Sequence, residues 1–389
     1  MKGDLLIGSE AHYSNGWIKF THASNNQTYG YVGPVTFTGS ILVDKASGAV
    51  QPLDPMTDLK FARFSLKSGT FIAPQTNVEQ LLDAQTATMF EYTGGVFDAN
   101  GSNWKLGFTS WWGSNATLVF DVTPAFNDLS IDFSYSGGGS SGFSTSGTAS
   151  VQGNFTHMDG GLIGGTWEVH GNVIIESEAA GGSAKLTFSG AGNQTYTDNG
   201  GNEPDGDVTI RKSGGNLTLF SGAHWHSTNQ DIIEHSSNLG TFVQGSHRIY
   251  TRNWYHNNGI FQGGTGDIYI YDALSIRGNT FNSTSGSLYF DLPSRTITFF
   301  NLTSGTFNAN GGHVRVIENN GIGGHAGYTY TFSNTAGSTS LQDLTVDLDR
   351  AGYGSHFTMN IPTGQEIVVN GDFNYLEGTL TGNISAKET

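Results

Sequence analysis

The sequence predicts an all-β protein: an elongated parallel β-helix (β-solenoid) with coils of about 20 residues and an irregular N-terminal cap. Three observations carry this. The first is composition. The 389 residues include 56 Gly but only 8 Pro, 25 Phe and 15 Tyr, with 13% charged side chains. Disordered chains lack such a supply of large apolar side chains, and here it suffices for a long, thin core. The second is a short repeat of Gly, a small or branched residue, and Phe: GTF at 240–242, GIF at 259–261, the variant NTF at 279–281 and GTF at 305–307. Each is followed by a turn and an alternating strand. A unit this short cannot fold alone and must stack on its neighbours, adding about 4.8 Å per coil. The third is a long repeat. Phe71 and Phe281 are 210 residues apart, as are Phe97 and Phe307. Further on, VQGNFTHMDGGLIGG (151–165) matches VNGDFNYLEGTLTGN (369–383).

Taken in order, residues 1–60 read as an N-terminal cap or the start of a rod. Within them GPVTFTGSILVDKASG (33–48) suggests two short strands and a turn, and PLDPMTD (52–58) a connector. Residues 61–389 read as the solenoid. It holds two similar modules, about 65–165 and 275–383, with like coils between them. VEQLLDAQTATM (78–89) is the one stretch with a helical pattern, and GGGSSGFSTSGTAS (137–150) reads as a flexible loop. In GVFDANG and GTFNANG the glycine permits a backbone with positive φ. Phe then faces inward, and Asn-Gly makes a tight turn. The buried Phe set is therefore Phe71, Phe97, Phe242, Phe261, Phe281 and Phe307. Two antiparallel sandwiches with Asn-Gly hairpins are the competing arrangement.

Charge narrows the function classes. A formal net charge of −16 with 17 Lys plus Arg argues against a nucleic-acid partner. No apolar run is long enough for a membrane span. MKGDLLIGSE lacks the apolar region of a secretory signal. The absence of Cys excludes a disulfide framework.

The stretches AKLTFSGAGNQTYTDNGG…DVTIRKSGGNLTL (184–219) and SLQDLTVDLDRAGYG…IVVNGDFNYLEGTLTGN (340–383) resemble repeats of large bacterial surface proteins of the haemagglutinin or autotransporter-adhesin kind. The likeness covers about 60–389 and is one of style. Phage tail fibres and spikes are a second resemblance. The first implies a non-enzymatic structural or adhesive protein, extracellular or at the cell surface. The second implies a receptor-binding fibre on a virion. The uncovered strand edges of a solenoid's terminal coils add the expectation of end-to-end self-association into a filament. A polysaccharide-degrading β-helix enzyme is the third reading, disfavoured because the sequence reveals no carboxylate cluster with a basic residue at one coil position.

Weak metal candidates are His224 and His226, which an H-W-H strand would place on one face, and Asp347 and Asp349 in DLD. Converging imidazoles suit zinc, and carboxylates with loop carbonyls suit Ca²⁺. Asp205, Asp207 and Asp267 sit in loops of similar calcium-like character. Ordinary polar surface positions are the competing account of all of these. Trp111-Trp112 and Trp254-Tyr255 are candidates for stacking on surface glycans, against plain packing. No cofactor is expected and no catalytic residue is assigned.

Overall fold

The computed structural model describes residues 4–8, 13–21, 24–32, 37–82, 86–108, 115–133, 142–220, 230–318, 327–335, 338–348 and 357–387. Strands with turns between them fill these segments, with no helix among the described residues. Each pairing whose register is resolved is parallel and joins a strand to one in the next coil. The protein is thus an all-β parallel β-helix. It divides into two compact units, residues 1–187 with 198–206, and residues 188–197 with 207–389.

In the first unit, parallel strands Asn77–Leu82, Asn103–Phe108, Asp128–Asp132, Phe155–Ile163 and Val173–Ala179 lie in successive coils. Their register aligns Val78, Trp104, Leu129, Phe155 and Val173 in one inward column. All five are buried. Parallel strands separated by whole coils repeat the same facing, so one apolar position per coil builds a continuous core. On a neighbouring face Phe71 pairs with Phe97.

In the second unit the column is Leu217, Phe242, Phe261, Phe281 and Phe307. A second column runs Ile232, Trp254, Leu274, Phe300 and Phe332. Every Phe expected in the core is buried. The long repeat recurs in the geometry. Phe71 stacks on Phe97 at 6.3 Å and 13°, and Phe281 on Phe307 at 5.9 Å and 14°. Asn100 and Asn310 take φ of 49° and 54°, followed by Gly101 and Gly311 at 79° and 75°. Each Asn Nδ2 donates 2.9 Å to a carbonyl in the preceding coil, of Ala73 and Ser283 respectively. That bond offsets the unfavourable left-handed backbone.

Three local expectations are corrected. Of residues 78–89, residues 78–82 and 86–89 are not helical but belong to the strands Asn77–Leu82 and Thr86–Tyr92, and residues 83–85 lie outside the described residues. Stacking on adjacent coils overrides their helix propensity. Of residues 33–48, residues 37–48 are not two strands and a turn but part of one strand of 16 residues, Phe37–Pro52, whose register with Arg63–Ile72 shifts at Asp44; residues 33–36 lie outside the described residues. Of the supposed loop 137–150, residues 142–150 belong to the strand Gly142–Val151. Coil length also varies. Phe242, Phe261 and Phe281 recur at 19 and 20 residues, but Phe281 to Phe307 takes 26. A coil need only return in register, so its turns can lengthen freely.

Candidate functional surfaces

His224, His226 and Asp349 lie outside the described residues, as do Trp111 and Trp112. Asp347 is half-buried on the strand Asp343–Asp347, aligned with Ile317 and Glu377. Among the described residues no group of three or more His, Asp or Glu is placed to hold a metal ion.

The other loop acids have a structural task. Asp267 Oδ1 accepts the Ser287 N–H at 2.9 Å, and Asp207 Oδ1 the Asp231 N–H at 3.3 Å. Asp128 caps Asn154 at 2.6 Å and Asp343 caps Asp372 at 2.8 Å. Asn26 and Asn193 do the same for Ala49 and Asn216, each at 2.9 Å. In each pair a side chain at the end of one coil takes a backbone donor of a later coil. Without it that donor would lack a partner at the turn. At Asp58 the bond from the Asn77 N–H holds the carboxyl below its ordinary value.

Trp254 does not offer a sugar platform. It is buried, and its Nε1 donates 2.9 Å to Glu234 Oε1. His256 Nδ1 lies 2.8 Å from the same oxygen, with both side chains at 0% exposure. His256 occupies the inward column of Ile276 and Leu302, so it is a core residue. His157 is likewise inward, in a column with Leu106, Ile131 and Ile175. Burial depresses its pKa to about 4.

Sequence reading missed a matched pair of buried lysines. Lys45 Nζ donates to the Asn25 carbonyl and Gln27 Oε1, both at 2.9 Å. Lys212 Nζ donates to the Gly192 carbonyl at 2.8 Å and Gln194 Oε1 at 2.6 Å. Both lysines are fully buried. Desolvation lowers both pKa values, that of Lys212 to about 8. The signal was present: NQTY occurs at 26–29 and 193–196, each followed 16 residues after its Tyr by Lys. It went unread because a buried lysine is invisible until the next coil covers it.

Two further features remain. On the first unit, Lys105 Nζ lies 2.6 Å from Asp132 Oδ2. Asp159, held above its usual pKa chiefly by desolvation, also feels the charges of Asp132 and Glu178. On the second unit, half-buried Tyr250, Tyr269 and Tyr289 form an outward column. Their centroids are 4.5 Å apart at each step, with planes within 5° and 3°. Arg315 caps the stack, with Cζ 5.6 Å from the Tyr289 centroid. Burial, with the charge of Asp267, pushes the Tyr269 phenol up to about 12.

The fold and these surfaces define a repeat-built parallel β-helix protein. No protein-family model, curated protein or solved structure matches the chain.

Proposed function

We propose that the chain is a non-enzymatic structural or adhesive protein of the cell exterior that self-associates end to end. The observation that carries this is the coil at residues 373–387. Its strands Phe373–Glu377, Thr379–Thr381 and Asn383–Ala386 pair with the preceding coil. Among the described residues they have no partner on the other side. Leu376 is 61% exposed and Tyr375 42%. An unpaired, partly apolar strand edge is a template for another strand. The strand Leu5–Gly8 likewise has one described partner, Gln27–Val32, and Leu6 is 58% exposed. A second copy presenting its first strands to the last coil makes a heterologous contact, which propagates as an open series. The net charge of −16 opposes lateral clumping, so salt should ease assembly.

The test is light scattering and electron microscopy of the purified chain across concentration and salt. A concentration-dependent series, abolished by Leu376→Glu, is expected. A dispersed monomer at high concentration sinks the reading. A second reading, a polysaccharide-acting enzyme, is favoured by one observation: on one unit Asp159 feels the charges of Asp132 and Glu178, and Asp132 pairs with Lys105. Paired carboxylates are the usual acid and base of glycoside cleavage. Turnover on a polysaccharide panel, lost in Asp159→Asn, would establish that reading instead.

A further inference from the structure

The tyrosine column carries chemistry that neither reading uses. Tyr250, Tyr269 and Tyr289 lie on successive strands Ile249–His256, Ile268–Ile276 and Ser287–Leu292, in register. The strands hold the rings parallel at 4.5 Å centroid spacing. Side chains on both sides of each ring, Ile249 and Thr251, Ile268 and Ile270, Leu288 and Phe290, point into the core and are buried. They fix the backbone that positions the rings. The phenols themselves are half-buried on the outer face, within reach of a small oxidant.

The geometry points to an oxidative modification site: a one-electron oxidant converts neighbouring rings of this column into an intrachain dityrosine, a covalent staple between successive coils. The inference stands on the stack alone and does not depend on the proposed self-association. Each phenol gives one electron and its hydroxyl proton to the oxidant, leaving two phenoxyl radicals. The unpaired electron has density on the ring carbons ortho to oxygen, in π orbitals perpendicular to the ring. Parallel stacked rings aim those orbitals at one another, so the partners are held close to a reactive geometry before oxidation. A carbon–carbon bond forms between two ortho carbons. Each of those carbons then releases its hydrogen as a proton, each oxygen regains one, and both rings become aromatic again. The protein loses two hydrogens per bond, and one hydrogen peroxide becomes two waters.

The test treats the full chain, dilute, with a haem peroxidase and hydrogen peroxide. Blue dityrosine fluorescence should rise while the chain stays monomeric on a denaturing gel. Peptide mass spectrometry should find Tyr250 joined to Tyr269, or Tyr269 to Tyr289. Tyr269→Phe should reduce the intrachain product to background, because the two remaining tyrosines are two coils apart. Tyr250→Phe or Tyr289→Phe should each leave one pair and roughly half the yield. Tyr255→Phe, outside the stack, should change nothing. Each Tyr→Phe variant keeps its ring, and circular dichroism checks the fold. Dityrosine found only between chains, or a yield that Tyr269→Phe leaves intact, would overturn the inference.

Discussion

Residues 155–165 and 373–383 carry matching sequences and meet different surroundings. Phe155 and Leu162 are fully buried, whereas their counterparts Phe373 and Leu380 are only half-buried. Met158 is 37% exposed and Leu376 61%. Gly160 and Gly378 both take positive φ, 78° and 107°, as do Gly164 and Gly382 at 67° and 101°. The local backbone is therefore written in the sequence, and burial is not. In the first unit Val173 of the next coil covers Phe155. In the second, Phe373 closes the column of Leu288, Val314 and Leu344 with no described strand beyond it.

The largest effect expected is at this pair. Phe155→Ala should cost about 3–5 kcal/mol in chemical denaturation. Phe373→Ala should cost less, about 1–2 kcal/mol, because part of its ring stays in contact with water and no described strand covers it. Equal costs would break the comparison. Should the chain self-associate, the Phe373→Ala cost should grow with protein concentration.

Two buried bases sharpen it by pH. His157 of the first unit has a folded pKa of about 4 against an ordinary 6.5. Between these values the unfolded state holds more protons, so stability falls as pH drops through that window, by up to about 3 kcal/mol. Lys212 of the second unit has a folded pKa of about 8 against 10.5. Stability should therefore rise as pH climbs from about 8 to about 10.5, by at most a similar amount. His157→Leu and Lys212→Met should each flatten the corresponding limb of a stability–pH curve. A limb that survives its substitution assigns it to another group.

A smaller, symmetrical effect is expected at the Asn-Gly turns. Asn100→Ala and Asn310→Ala each remove one bond to a preceding coil and leave a left-handed residue without it. Each should cost about 1–2 kcal/mol, and the two should agree within about 0.5 kcal/mol. Disagreement would mean the coils around the turns, rather than the turns, decide their energy. Smallest in stability, at about 0.5 kcal/mol or less, are Met158→Ser and Leu376→Ser. They separate on association: only Leu376→Ser should suppress it in light scattering.

The Phe columns and Asn-Gly turns were legible because each uses a local signal repeated at a fixed interval. The strand at 78–82 was misread because Val78, Leu81 and Leu82 also suit a helix face, and only pairing with Asn103–Phe108 settles the period. Core replacement across the long repeat was hidden for the same reason. Trp104 fills the first module where Val314 stands in the second, and Phe126 where Leu341 stands. The aromatic volume differs although the turns agree.

By itself the sequence determined that the chain coils, where its Asn-Gly turns fall and which repeated Phe face inward, because backbone handedness and side-chain alternation are local properties. Only the tertiary structure decided what the polar residues do. Asp267 is a cap, Lys212 is a buried donor to Gln194, and three tyrosines spaced 19 and 20 residues apart form one stack. Each role depends on which residue of another coil arrives opposite it. That register is set by turn lengths, which vary from coil to coil and leave no fixed interval to read.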